Sequence, residues 1–404
     1  GLDLPKIEIE KNTYKMNSSV DIDVDLSEMK AVRNQLHRYP EIGLEETRTA
    51  EFIARHLEAL GYQVHRGFAK TAVVGTLRNG GSNRAIGLRA DMDGLPITEQ
   101  EGLPYASKNP GIMHACGHDG HTAMLLGAAR AIAERRRFDG SVHLIFQPAE
   151  ENCGGAKMMV EEGLFKLFSC DAVFSLHNDP NLPLGQFALR DGPIMAAVDE
   201  ARITVHGRGG HGSEPEKTAD PIVAGASIVM ALQTIVSRNI YPFEPAVNTV
   251  GSLHGGSASN IIPNEVDLVV GIRSFDPATR DFIEKRITEI AKLQAESYGM
   301  TATVDYERSY DATVNHTAET DFLRAQAVAF AGAENVVDLD RPLMGSEDFT
   351  YMLQACPGSY FFIGTSSSPD AKPLHHPGYD FNDDILSIGA SFWTQLAESF
   401  LAQA

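Results

Sequence analysis

Residues 114–121 read HACGHDGH, three histidines, a cysteine and an aspartate within eight positions. Two acidic clusters stand elsewhere in the chain, RADMD at 89–93 and QPAEE at 147–151, and His177 closes the run AVFSLH. Cys116, His118, Asp91, Asp93, Glu150, Glu151 and His177 together offer sulfur, nitrogen and oxygen donors. A divalent ion of the zinc or manganese type accepts such a mixed set, and carboxylates allow two ions side by side. In the adjacent pair Glu150–Glu151, one carboxylate can hold a metal while its neighbour takes a proton from the attacking water. Each residue alone has a plainer reading, since a single histidine is usually a satisfied polar side chain and a pair of glutamates a solvated face. Two other chemistries remain open for Cys116. It can be a thiol nucleophile activated by His118 or His121, or part of a structural zinc site, although the latter usually shows more cysteines in paired spacing. The C-x-x-C-H of a haem attachment is absent.

The elements that must position these residues are legible as alternating strands and helices. Apolar residues recur at helical spacing from Asp25 to Leu60, broken into two helices by Pro40 and Gly43, with Gly61 as the C-cap. Short β-rich runs follow at 71–77, 85–90, 141–146 and 172–177, with helices expected at 122–136 and 155–165. This alternation predicts an α/β fold with a mostly parallel sheet covered by helices on both faces. Ligand sites in such sheets gather beyond the carboxyl ends of the strands. The acidic clusters and His177 fall at such ends, and HACGHDGH falls in the loop before a helix.

A second unit is expected at 198–308, reading β-α-β-β-α-β, the split βαβ (ferredoxin-like) pattern. It is inserted into a larger domain formed by 21–197 and 309–404. Residues 1–20 read as a leader or loose arm and are set aside.

Composition narrows the class. Hydrophobic residues at 43% and charged residues at 22% of 404 describe an ordinary folded, soluble protein. A formal net charge of −20 repels phosphate backbones and anionic lipid, so neither nucleic acid nor membrane is expected as a partner. Four scattered cysteines form no disulfide framework and suit a reducing, cytoplasmic compartment. No signal peptide and no run of 18 uninterrupted apolar residues is evident.

From about Leu26 onward the chain resembles the M20 metallopeptidase family. It is most similar to the branch of N-acyl-amino-acid amidohydrolases that includes aminoacylase-like enzymes, hippurate hydrolases and auxin-conjugate hydrolases. The carriers are LHRYPEIGLEE (36–46), LRADMDGLPI (88–97), PYASKNPGIMHACGHDGHTAMLLGAA (104–129), LIFQPAEE (144–151), GGAKMMVEEGLF (154–165), GRGGHG (207–212), SASNIIP (257–263), MGSEDF (344–349) and LHHPGYDFNDDIL (374–386). The resemblance implies that Cys116, His118, Glu151, His177 and His375 hold two divalent ions per subunit, drawn from manganese, zinc, cobalt or nickel. His375 is preferred to His376 on the family pattern. Glu150 matches the catalytic base. Asp91 stands where other branches carry a histidine ligand, and Asp93 matches the aspartate that orients it.

In the inserted lid or dimerisation domain, His211 matches a histidine that reaches the partner subunit's site and meets the oxyanion, while Asn260 and Arg273 are expected to bind substrate. Function would then require a homodimer or higher oligomer, with hinges near 195–200 and 306–312. Two positions depart from the branch pattern: Glu216, where a histidine often follows the proline, and Gly94, where alanine is usual. The expected activity is hydrolysis of N-acyl amino acids to a carboxylic acid and a free amino acid. The alternatives are a dipeptide or aryl-amine substrate on the same scaffold, or a non-catalytic binding protein.

Overall fold

The computed structural model describes residues 22, 24–100, 102–366, 368 and 371–402. The expected leader at 1–20 lies outside the described residues. The chain divides into two compact units, Gly1–Asp191 with Asn315–Asp340 and Met352–Ala404, and Gly192–Val314 with Arg341–Tyr351.

The first unit is built on an eight-stranded mixed sheet. In spatial order its strands are Gln63–Arg66, Val73–Asn79, Gly140–Gln147, Ala85–Asp91, Ala172–Pro183, Gly358–Ser366, Phe187–Leu189 and Val336–Asp338. The centre is parallel, from Gly140–Gln147 through Ala85–Asp91 and Ala172–Pro183 to Gly358–Ser366. Antiparallel pairs flank it on either side. The central strands are buried along their length, the signature of a sheet covered on both faces. The long helices His118–Arg135 and Leu386–Phe400 pack on one another, and both reach strand Ala85–Asp91. Aromatic contacts such as Phe187–Phe392, with centroids 4.6 Å apart, fill the space between sheet and helix. Helix Leu26–Arg38 begins where the Asp25 side chain accepts the Glu28 amide, and Thr47–Ala59 follows the break at Pro40 and Gly43.

The second unit runs strand, helix, strand, strand, helix, strand. Its antiparallel sheet has the order Val247–His254, Glu265–Ser274, Ala197–His206, Thr301–Tyr310. Alternation along Glu265–Ser274 buries Val266, Leu268, Val270 and Ile272 beneath helices Pro221–Thr234 and Pro277–Ser297. Each helix starts with an aspartate cap, Asp220 or Asp276, followed by proline at the first turn. The stretch Pro221–Asn239 is long and apolar enough to cross a membrane by length and composition. In the fold its Ala224, Ile228 and Leu232 belong to the core of this unit.

The unit is wider than 198–308. Strand Gly192–Met195 pairs with Thr313–Asn315, Leu343 donates its amide to Ile194, and Ala196 donates to Gly345. Residues 341–351, expected in the larger domain, therefore belong here. Backbone pairing between segments far apart in sequence leaves no trace in local periodicity.

Candidate metal centre

Four segments of the first unit converge. Asp91 ends strand Ala85–Asp91, and Glu150 and Glu151 follow strand Gly140–Gln147. Against expectation, His177 lies within its strand, which continues to Pro183 because it keeps pairing with Gly358–Ser366 beyond His177. The ligand loop also differs from expectation. Helix His118–Arg135 begins at the second half of HACGHDGH, so His118 and His121 stand on its first turn, i and i+3. Gly117 caps it at φ 94°, and a Cβ there would lie 2.4 Å from Asn178 Oδ1. Only glycine meets both demands.

The candidate ligand atoms face one another. Cys116 Sγ is 3.4 Å from His177 Nε2. His118 Nε2 is 3.8 Å from Glu151 Oε1 and 3.8 Å from Asp91 Oδ2, and His375 Nε2 is 3.4 Å from the same Glu151 oxygen. Cys116, His118 and Glu151 each present a ligand atom within 4.8 Å of the others, and so do Asp91, His118, His121 and His177. His118 Nε2 and Glu151 Oε1 are buried and have no hydrogen-bond partner among the described residues. Buried polar atoms are rarely left so, and two of them aimed together within a Cys, His and Glu set fit a divalent ion. His375 holds φ 63°, its amide donating to the Ala115 carbonyl, whereas the His376 ring accepts the Gly378 amide in a local turn.

A second ring of groups orients the first. His118 Nδ1 donates to Asp93, 3.0 Å from its carbonyl and 3.1 Å from Oδ1, while Asp93 Oδ2 accepts the Glu151 amide at 3.0 Å. His177 Nδ1 donates to the Asn178 carbonyl at 2.8 Å. Both rings therefore carry a proton on Nδ1, which leaves Nε2 as the nitrogen that would meet a metal ion. Asp91 is held by Arg89 Nη1 at 2.8 Å and lies 2.6 Å from His121 Nδ1. His121 Nε2 in turn lies 2.6 Å from Asn178 Oδ1, and the Asn178 side chain donates to the Tyr379 hydroxyl.

The electrostatics favour an added cation. Burial, then the charges of Glu151, Glu150 and Asp91, push the Cys116 thiol well above its ordinary range. Burial opposes charge on His118, yet the Asp91 carboxylate and the Asp93 hydrogen bond outweigh it and bring the ring up to about 10. Burial and the neighbouring His121 hold His177 well below the usual histidine range. A Cys116–His177 thiolate–imidazolium pair is thus disfavoured, whereas a divalent ion would neutralise the thiolate and carboxylates together.

In the second unit, His211 and Asn260 share an exposed edge. His211 pairs with Ile261 in a two-stranded ribbon, and the Gly212 amide donates to the Asn260 carbonyl at 2.8 Å. Ser213 Oγ lies 2.7 Å from His211 Nδ1. Arg273 sits apart, half-buried on strand Glu265–Ser274 opposite Val247 and Val198, and its Nη1 has no hydrogen-bond partner among the described residues.

Sequence reasoning missed Arg89, Asn178, Tyr379 and Glu46. Glu46 is fully buried, accepting from the Ala149 amide and the Thr71 hydroxyl. Burial pushes its carboxyl up to about 7, against the opposing hydrogen bond from Thr71. The signals available were the strand-internal RADMD arginine and the final glutamate of LHRYPEIGLEE, neither of which has a ligand-like spacing.

The family model described as peptidase family M20/M25/M40 matches residues 87–399. Hippurate hydrolase of Campylobacter jejuni is 42% identical over 374 residues, 93% of this chain and 97% of its own. N-acetyl-L-cysteine deacetylase of Bacillus subtilis is 38% identical over 371 residues, covering 92% and 87%. Among solved structures, the Bacillus subtilis YXEP protein, described as a dinuclear metal binding peptidase from the M20 family, superposes with a TM-score of 0.80. It is 29% identical, covering 93% of this chain and 98% of that one.

Proposed function

The chain belongs to peptidase family M20/M25/M40, and from that premise we propose that it hydrolyses the amide bond of N-acyl amino acids in a metal-dependent reaction. The observation that carries this reading is the facing pair of buried atoms His118 Nε2 and Glu151 Oε1, one residue from Glu150 and without a hydrogen-bond partner among the described residues. The names of the hippurate hydrolase and the N-acetyl-L-cysteine deacetylase, each an N-acyl amino acid hydrolase by name, support the substrate class.

Cys116, His118, Glu151, His177 and His375 hold two divalent ions, manganese or zinc first among them. When bound, these supply Lewis acidity toward the acyl carbonyl and lower the pKa of water. Glu150, buried beside Glu151, takes the proton of the attacking water and returns it to the leaving amine nitrogen. Asp93 keeps His118 and the Glu151 backbone in register. His211, supplied by the second subunit of a homodimer, donates to the oxyanion, and Asn260 and Arg273 hold the amino-acid portion, the guanidinium matching its carboxylate. The protein acts in the cytoplasm, a location that its four free cysteines suit.

The test is hydrolysis of N-acetyl, N-benzoyl and indole-acetyl amino acids beside simple dipeptides. Each is run after chelation and after adding back manganese or zinc, with Glu150→Ala as control. Metal-restored turnover of an acyl amino acid, absent in the variant, is expected. Turnover indifferent to chelator would overturn the metal reading, and turnover of dipeptides alone would move the substrate class.

A further inference from the structure

The residue before Glu150 is held in a conformation that an L side chain rarely adopts. Ala149 has φ 55°, between Pro148 and Glu150, and no glycine is there to relieve it. Such strain persists only where the surroundings over-determine it. Here two hydrogen bonds do so: the Ala149 amide donates to Glu46 Oε1 at 2.9 Å, and its carbonyl accepts the Gly155 amide at 3.1 Å. The Glu46 carboxylate is fixed in turn, its other oxygen accepting the Thr71 hydroxyl at 2.7 Å. Gly43 allows the approach, since a Cβ there would lie 2.9 Å from Ala149 Cα. Glu46 and Ala149 are 103 residues apart in sequence, and among the described residues no hydrogen bond or ion pair joins the Glu46 side chain to a candidate ligand.

We infer that Glu46 is a positioning residue: by gripping the Ala149 amide it holds the left-handed turn that aims Glu150 at the attacking water. The inference rests on the reading of Glu150 as the base. A shift of about 1 Å in a reacting group can cost on the order of a hundredfold in rate, so the grip matters to turnover more than to substrate binding. Glutamine keeps an acceptor oxygen for the amide, whereas alanine removes it and aspartate is one methylene too short. Glycine at 149 occupies φ above zero without penalty and so keeps the turn when the grip is lost.

The experiment uses the metal-loaded full chain with N-benzoylglycine, or the best substrate of the panel above. It compares Glu46→Ala, Glu46→Gln, Glu46→Asp and Glu46→Ala/Ala149→Gly, with Glu150→Ala run first. Glu46→Ala is expected to lower kcat by about tenfold to a hundredfold, with KM and bound metal little changed. Glu46→Gln stays near wild type, and adding Ala149→Gly to Glu46→Ala restores part of kcat. If Glu46→Ala does not fold, Glu46→Asp with and without Ala149→Gly gives the same comparison. Rescue by the conservative glutamine together with rescue by glycine supports positioning. A purely structural role predicts instead that the lost kcat follows the fraction of folded, metal-loaded protein, with rescue by Ala149→Gly seen only in the denaturant midpoint, and that result overturns the inference. Unchanged kcat in the Glu46 variants overturns it as well. Full activity in Glu150→Ala sinks the underlying reading of the base, an outcome distinct from the others.

Discussion

His118 Nδ1 donates to Asp93, 3.0 Å from the carbonyl and 3.1 Å from Oδ1, so Nε2 is the nitrogen left to face Glu151. The same aspartate accepts the Glu151 amide, so one side chain registers two candidate ligands carried on different segments. Replacing it with alanine frees the ring to take the other tautomer. Asp93→Ala is expected to weaken metal binding by about 10- to 100-fold, as losses of such orienting partners usually do. Titration of the metal-free protein with manganese or zinc, followed calorimetrically, measures this. An unchanged affinity would mean that Asp93 does not orient a ligand.

Glu150 should separate from its neighbour by experiment. Glu150→Ala is expected to lower kcat by about 10²- to 10⁴-fold while retaining bound metal, the loss typical of a general base. Glu151→Ala should lose metal together with activity. Elemental analysis of both purified variants checks the division. Loss of metal from Glu150→Ala would make Glu150 a ligand rather than a base.

The proposed sharing of His211 between subunits has a test that a site complete within one chain fails. Glu150→Ala and His211→Ala are each nearly inactive alone. Unfolded together and refolded as mixed dimers, they recover turnover, because a subunit with intact Glu150 receives intact His211 from its partner. No recovery in verified mixed dimers would place His211 in the site of its own chain or outside catalysis.

Gly117→Ala tests the entrance to the ligand helix. The residue must hold φ 94°, and its new Cβ would press within 2.4 Å of Asn178 Oδ1, where the Asn178 carbonyl also steadies His177. The strained backbone and the overpacking together should cost about 2–4 kcal/mol. Denaturant midpoints report the loss, and metal affinity should fall with it. Wild-type values for both would refute the account of the cap.

A buried cluster beside the centre sets a pH dependence of stability. His37 lies 2.8 Å from Asp119 and 3.1 Å from Glu99, and Arg33 stands 3.5 Å from Asp119. Burial opposes the charge on His37, but the hydrogen bonds to Asp119 and Glu99 prevail and raise it to about 9. A histidine raised above its ordinary value of about 6.5 stabilises fully below that pH and loses its contribution as pH climbs through about 9. The gap in thermal midpoint between wild type and His37→Gln should therefore be wide near pH 6 and narrow above about pH 9. A gap that holds constant or widens with rising pH would show that His37 is not protonated in the fold.

The sequence by itself determined the donor types, their spacing and the elements that carry them. The breaks at Pro40 and Gly43, the alternation along Glu265–Ser274 and the aspartate caps at Asp220 and Asp276 all act over a few residues, so they are readable without the fold. The tertiary structure decided the rest. That His118 and His121 open a helix rather than lie in a loop depends on Gly117 meeting Asn178, brought up by a different strand. That Arg89 secures Asp91, that His118 and His177 carry their protons on Nδ1, and that Glu46 grips Ala149 from 103 residues away depend on hydrogen bonds across the assembled sheet. Periodicity and local propensity carry no information about such partners, because a buried polar group is satisfied by whatever the packing places within hydrogen-bond reach, at any distance along the chain.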